Sequence, residues 1–411
     1  MPRSTGGHAR LIPALAALAS ACVLGAATAR AEDSDFQQAL NATRPILDLR
    51  LRLETVDQTG IPEKANAVTL RGRIGFETGS LWGTSLLAEG RLLSPLDSDY
   101  NSTVNGKTQY PVVADPETYG LNRLQLTNTS IPGTTVILGR QRLNLDDQRF
   151  IGSVGWRQNE QTVEALRVTN TSIPKLTLDF TFLNHVNRVY GPDSPVGRYK
   201  GNSYLGNAAY KTPWGKLSGF GYLLKFDEAP TDSSQTFGLR FAGERRLGAI
   251  AFSYAASYAY QEEYGNNPLN YDDDYGALEV GATLLGFNLA VGADVLAGNG
   301  IKGFTTPLAT LHIFEGTADK FLTTPPNGVE DRYGTLGYTI KSLGVFDSVA
   351  ARVTYHKFDS QRFSIGYGSE VDAQLLFKIR RYTAIVKYAD YNADAFATDT
   401  TKFWVQLEYV R

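Results

Sequence analysis

Arginine and carboxylate residues recur at alternate positions early in the chain, with apolar residues between them. In Asp48–Glu54, Asp48, Arg50, Arg52 and Glu54 alternate with Leu49, Leu51 and Leu53. In Val68–Glu77, Thr69, Arg71, Arg73 and Glu77 alternate with Val68, Leu70, Ile74 and Phe76. Guanidinium groups are planar and weakly hydrated, and they grip carboxylates in bidentate fashion. A file of them along a water-filled path lowers the barrier to an anionic solute, as charged rings do in channels. The same phase of later segments adds Arg91, Arg123, Arg167, Arg240, Arg352 and Lys387. It also adds Glu89, Asp179, Asp294, Asp372 and Glu408. Most of these arginines are expected to pair with interior carboxylates and brace a wall, the remainder biasing the path toward anions. Arg140 and Arg142 share a phase with Val136 and Leu138, so a bulge or a strand end must intervene before they can join the file.

What positions such a file is the period-two pattern itself, the mark of a strand with two different faces. Leu176, Leu178, Phe180 and Phe182 alternate with Thr177, Asp179, Thr181 and Leu183, and the pattern continues to Phe403, Val405, Leu407 and Tyr409. About 18 segments of this kind can be drawn, most near the ~10 residues that cross a bilayer when tilted. Tight connections such as Arg246–Gly248 and Leu285–Gly286 alternate with long polar ones such as Leu143–Gln161 and Gly298–Arg332. Lipid satisfies no open sheet edge, so spanning strands must close. The expected fold is all-β, a transmembrane antiparallel barrel with both termini at the short-turn, periplasmic end. A soluble β-sandwich shares the alternation but needs no such rhythm of connections. Trp82, Trp214, Tyr222, Phe226, Phe237, Tyr338 and Phe403 fall at strand ends, where interfacial aromatics are expected. Two short turns share the hexapeptide TNTSIP, Thr127–Pro132 and Thr169–Pro174.

Residues 1–31 read as a secretory signal peptide: basic Arg3 and Arg10, an apolar run from Leu11 to Ala27, and Ala29 and Ala31 before Glu32. That leaves residues 32–411 as a single outer-membrane barrel domain. Cleavage would remove Cys22, the only cysteine, excluding a disulfide framework and a Cys-ligated metal. It would also remove Arg3, Arg10 and Arg30, taking the formal charge from −2 to −5, a poor balance for binding nucleic acid.

The segment Leu138–Arg167 reads LGRQRLNLDDQRFIGSVGWRQNEQTVEALR, and Thr306–Pro326 reads TPLATLHIFEGTADKFLTTPP. GRQR, the isolated Trp156 and the closing EALR resemble the alginate-export family of outer-membrane porins, along nearly all of residues 32–411. That resemblance implies an 18-stranded monomeric barrel and an electropositive pore passing the anionic polysaccharide alginate outward. By motif, it implies Arg140, Arg142 and Arg167 as basic pore-lining positions. The chain departs from the usual barrel assembly signal in ending on Arg411 after Tyr409 and Val410.

Other motifs carry less. Gly298, Gly300 and Gly303 spell G-x-G-x-x-G without the helix a dinucleotide site needs. Asp97, Asp99 and Asn101 open like a calcium loop, but Ser102 and Thr108 replace the required Gly and Glu. Asp272–Asp274 reads as a solvated acidic loop, and His185, His312 and His356 lack metal spacing. An outer-membrane lipid hydrolase would have to pair His356 with Ser364 or His185 with Ser203, and no nucleophile elbow supports either. The expectation is a non-enzymatic channel without cofactor or metal. Its partners would be outer-membrane lipids and lipopolysaccharide, and its solute either an anionic polysaccharide or a small organic acid.

Overall fold

A computed structural model describes residues 35–411; the signal-peptide segment lies outside the described residues except for its sequence. A short helix, α1 (Asp35–Asn41), leads into eighteen strands. They are β1 (Arg44–Gln58), β2 (Ala65–Glu77), β3 (Thr84–Asp99), β4 (Thr118–Asn128), β5 (Thr134–Gln141) and β6 (Thr162–Asn170). There follow β7 (Leu176–Asn187), β8 (Arg198–Thr212), β9 (Gly215–Leu224), β10 (Ser234–Leu247), β11 (Ile250–Glu263) and β12 (Asp272–Leu284). The chain closes with β13 (Phe287–Leu296), β14 (Val329–Leu343), β15 (Phe346–Asp359), β16 (Gly366–Ile379), β17 (Tyr382–Ala393) and β18 (Thr400–Val410). Each strand pairs antiparallel with its sequence neighbours, and β1 pairs with β18 from Asp48↔Val410 to Gln58↔Thr400, so the sheet is a closed barrel.

The period-two pattern sorts the faces. In β1, Arg50, Arg52 and Glu54 are buried while Leu49 and Leu51 are exposed. In β2, Arg71 and Arg73 are buried while Leu70 and Ile74 are exposed. This is the inverse of a water-soluble protein: leucines cover the outside and guanidiniums fill the inside. Connections at one end are tight and those at the other are long. Both chain ends lie with the tight turns: Gly79 donates its N–H to the Ala39 carbonyl of α1, and Arg411 N–H to Leu47.

The two TNTSIP turns are wired identically. Asn128 and Asn170 each accept from the Oγ of the serine two residues on, at 2.7 Å. Their amides donate to Thr84 and Thr134 on the preceding strand, at 2.8 Å. Thr129 N–H and Thr171 N–H then reach the carbonyls of Gly83 and Gly133 in the neighbouring turn, both at 2.7 Å. Those glycines sit at φ of +78° and +68°, conformations that a Cβ would strain. Asn170→Ala removes the turn's own cap and its bond to the preceding strand. We expect it to cost about 1 kcal/mol, seen as a lower temperature at which the detergent-folded barrel loses its fast gel mobility. An unchanged temperature would show that the ladder alone fixes the turn.

Two of the expected girdle aromatics lie elsewhere. Trp82, Trp214, Phe237 and Tyr338 are exposed, but Tyr222 and Phe226 are buried. Tyr222 shares the inward phase of Phe220 and Leu224, and these residues belong to an apolar cluster with Tyr275, Leu296, Phe304, Phe358, Tyr391 and Trp404. The barrel therefore holds a core of its own, and the two longest loops supply the rest of it.

Candidate functional site

Loop 142–161 and loop 297–328 fold back into the barrel and meet there. Each is anchored by an aromatic side chain. Phe150 packs on Phe220 (centroids 4.8 Å), Tyr275 (5.3 Å) and Phe304 of the other loop (6.1 Å). Phe321 packs on Phe358 (4.6 Å) and Phe396 (5.1 Å). Where the loops touch, the Trp156 ring stacks on His312 at 4.7 Å, with the planes 6° apart.

The arginines of β1 and β2 hold this assembly. Arg50 Nη1 donates to the carbonyls of Gly155 and Trp156 at 3.1 Å, while its Nη2 lies 2.7 Å from Glu408. Arg52 donates to the Trp156 carbonyl and to Gln406, and its guanidinium carbon lies 4.1 Å from the Trp156 ring centroid. Arg71 pairs with Asp48 and, at 3.0 Å, with Glu408; Arg73 lies 3.2 Å from Glu160. Glu54 faces Arg157 at 3.4 Å, and Arg157 reaches Asp319 at 2.8 Å. Asp115, from the loop after β3, accepts the Gln158 N–H and lies 3.8 Å from Arg52. Burial pushes the Asp115 carboxyl up against the pull of Arg157 and Arg52.

Further along the wall, Arg123 grips Glu89 through Nε (3.0 Å) and Nη2 (2.7 Å). A bulge opposite Glu89 and Gly90 turns both Asn122 and Arg123 inward, and Asn122 bridges Glu89 and Glu160. Arg91 sits opposite Arg73 and donates to Asn122 at 3.5 Å. Arg167 pairs with Asp179 at 2.7 Å and Arg240 with loop residue Asp147 at 3.0 Å. Arg352 shares the inward phase of the buried Thr354 and His356, is itself exposed, and has no ion pair among the described residues. Glu77 ends β2 at the tight-turn side, exposed and opposite Arg44.

Arg140 and Arg142 part company. β5 ends at Gln141, and Arg142, just past it, turns inward to Glu160 at 2.6 Å. Arg140 stays in register opposite Leu124 and Glu164, beside the buried Gln141, and so keeps the outward phase of Leu138. No bulge intervenes at β5, and its guanidinium bonds Glu164 (2.6 Å) and the Leu121 carbonyl (2.9 Å). The expectation that Arg140 lines the interior is thus corrected by the unbroken register.

The wall of β13–β16 has the other sign. Asp294 and Asp331 are directly opposed on β13 and β14, and Glu370 and Asp372 stand two apart on β16. His356 Nδ1 lies 2.8 Å from Asp331 and its Nε2 3.7 Å from Asp372. Loop cation Arg149 answers Asp294 and, at 2.7 Å, Glu315. Burial would lower the Arg149 guanidinium, but Asp294 and Glu315 hold it above its ordinary value. Asp372 and Glu370 also cap the loop backbone, accepting from Thr317 (3.2 Å) and Ala318 (2.7 Å). An arginine-rich side on β1–β4 and a carboxylate-rich side on β13–β16 thus line the same interior, with β17 and β18 between them.

The signals set aside earlier resolve into structure. Gly298 bridges to Gly303 at the neck of the longest loop. Lys107 Nζ lies 3.2 Å from Asp99 in the calcium-like loop. Among the described residues no group of three or more His, Cys, Asp and Glu is placed to hold a metal ion. His185 faces outward while Ser203 is fully buried on the inward face of the next strand.

No protein-family model and no curated protein matches the sequence. Solved structures do match. The chain is similar to Pseudomonas aeruginosa OccK5 (OpdH) at 14% identity and TM-score 0.68, covering 90% of this chain and 98% of that one. It is similar to P. aeruginosa OccK8 (OprE) at 15% identity and TM-score 0.69, covering 91% and 99%. P. aeruginosa OpdK, solved with vanillate, matches at 13% identity and TM-score 0.68, covering 90% and 99%. At these identities the likeness is one of fold, and it extends over almost the full length of each chain.

Proposed function

We propose that this protein is an outer-membrane channel for the uptake of small organic acids. The observation that carries the reading is the inward file of Arg50, Arg52, Arg71, Arg73, Arg91, Arg123 and Arg142 along β1–β5, with the acidic wall of β13–β16 beyond β17 and β18. Several buried donors in it have no hydrogen-bond partner among the described residues, among them Nε and Nη1 of Arg71, Nε and Nη2 of Arg73 and Nε of Arg91. A small carboxylate fits, bidentately, a guanidinium that opens to the path. The field between the two walls orients a solute with an anionic end and a polar or cationic one. Arg240, Arg352, Lys387 and Arg167, with Glu54, Glu77, Glu89, Asp179 and Asp294, complete the proposed lining. P. aeruginosa OpdK, solved with vanillate, shares the fold.

Alginate export is the second reading, favoured by the GRQR and EALR motifs. The two inserted loops weigh against it, because a thick polymer would need the space that Trp156, His312, Phe150 and Phe321 occupy. Of the motif arginines, Arg140 faces away from the interior.

Reversal potentials under a salt gradient test the uptake reading. The parent channel is expected to prefer anions, and Arg73→Glu with Arg91→Glu should move the reversal potential toward the cation limit. Vanillate or benzoate added on the long-loop side should reduce ion current in the parent and not in the double variant. A cation-selective parent indifferent to these substitutions would end the proposal.

A further inference from the structure

Arg140 is one end of a charged row on the barrel's outer surface. Register sets Arg140, Glu164, His185 and Lys200 directly opposite one another across β5, β6, β7 and β8. The adjoining row, Gln141, Val163, Val186 and Tyr199, is buried and faces inward, so the charged row faces out. A bulge at Asn184 keeps β7 in step: without it His185 would point inward. Arg198, opposite Asn187, lies one step farther toward the long loops and is exposed. On the tight-turn side of the charged row runs an apolar one, Leu138, Leu166, Phe182 and Tyr204, with the last two rings 5.4 Å apart.

We infer that this patch is a binding site for lipopolysaccharide, with Arg140, Arg198 and Lys200 taking the lipid A phosphates and the apolar row beneath taking an acyl chain. The inference rests on the outer-membrane placement proposed above, with the long loops outside. Charge decides the location. Arg140 is fixed by Glu164 and the Leu121 carbonyl, Arg198 has no ion pair among the described residues, and Lys200 is 3.9 Å from Glu228. Glu164, Arg140, Lys200 and Arg198 all act electrostatically on the His185 ring, so the cations are clustered. Elsewhere the same rim is acidic: Tyr258 OH bonds Asp274 and Tyr260 OH bonds Glu262, both on the outward face of β11 and β12. A phosphorylated amphiphile is repelled there and attracted at β5–β8. Guanidinium and ammonium donors directly above a hydrocarbon surface match a molecule whose phosphates sit directly above its chains.

The test is a titration of the detergent-folded protein with diphosphoryl lipid A, read by native mass spectrometry. Arg198→Ala with Lys200→Ala, both exposed and outside the interior, should bind about tenfold more weakly than the parent. Adding Arg140→Ala should weaken binding further. Dephosphorylated lipid A should bind the parent as weakly as diphosphoryl lipid A binds the double variant, and inorganic phosphate should not displace the lipid. Equal affinity of parent and double variant, equal affinity for dephosphorylated lipid A, or full displacement by inorganic phosphate would each overturn the inference. Heat-shifted gel mobility checks that the variants are folded. Loss of anion preference in the parent would sink the transport reading and leave the lipid result standing.

Discussion

Joining Gly303 to Pro325, so that residues 304–324 are removed, should raise single-channel conductance roughly threefold while the barrel stays folded. The excision is possible because the loop has a neck: a Cβ on Gly303 would lie 2.5 Å from the Pro325 carbonyl oxygen, and Gly300 N–H bonds Pro326. The conductance should rise because eighteen strands enclose an aqueous channel when nothing fills them. Here Phe304, Leu308, His312, Ala318 and Phe321 fill part of it and are buried. Removing them also frees Trp156, Arg157 and Phe150 of the other loop, which lose His312, Asp319 and Phe304. Planar-bilayer recording measures the outcome. A variant conducting no better than the parent would mean that the limiting constriction lies toward the tight-turn end, past both loops.

Acidification should loosen the same assembly, with onset below about pH 6.5. His312 Nδ1 lies 2.7 Å from Asp319, and its Nε2 lies 2.8 Å from Lys387 Nζ. An ammonium can only donate, so Nε2 must accept, and the imidazole is neutral with its proton on Nδ1. Burial first, and then the neighbouring Lys387, hold the ring well below its ordinary value of 6.5, against the opposing pull of Asp319. Burial would raise Asp319, but His312, Lys402 and Arg157 outweigh it and hold the carboxyl well below 3.8. The groups facing the ring are Asp319 in its own loop, Arg157 and the stacked Trp156 ring in the other, Lys387 on β17 and the Trp404 ring on β18; Lys402 reaches it through Asp319.

For His312, the released loop binds a proton below pH 6.5 and the seated loop does not. The His312 contribution to seating is therefore complete above that value and weakens as pH falls, by up to about 1.4 kcal/mol per pH unit. For Asp319, the seated carboxylate adds stability above 3.8 that is lost below it, so the two effects act in the same direction and in succession. The measurable consequence is open-channel flicker that grows from pH 6.5 downward and steepens near pH 4. His312→Gln keeps a donor toward Asp319 and an acceptor toward Lys387 without a titrating proton. It should abolish the upper part of the profile. Identical profiles in parent and variant would assign the acid response to other groups.

The wall was legible because its two solvents differ. Leu49 and Leu51 against Arg50 and Arg52 leave only one way for β1 to face, and the strand number and the inward set of β1 and β2 follow from that contrast. The interior was not legible for the complementary reason. Phe150, Trp156, Phe304 and Phe321 lie in segments without periodicity, and their partners are wall residues far away in sequence. Tyr222 and Phe226 looked like interfacial aromatics because aromatic residues suit a lipid boundary and an internal core equally. Arg142 could be placed from the strand end, whereas the bulge that turns both Asn122 and Arg123 inward has no period of its own. Loop carboxylates Glu160, Glu315 and Asp319 were missed, although each neutralises a named arginine; the one available hint was that so many inward cations require more acids than the strands supply.

On the outer-membrane placement proposed above, folding the two longest loops inward also shapes what a cell would present to its surroundings. With the long-loop end outermost, an antibody or a phage tail fibre arriving from outside meets mainly the shorter links, such as 225–233, 264–271 and 394–399, and the exposed part of 100–117. The segments with most room to vary as recognition epitopes are instead committed to contacts with the wall, where Arg50, Arg52, Glu370 and Asp372 constrain their backbone. On that placement, permeation and exposure to the surroundings would fall to different stretches of one chain, leaving the short links free to vary without disturbing the passage.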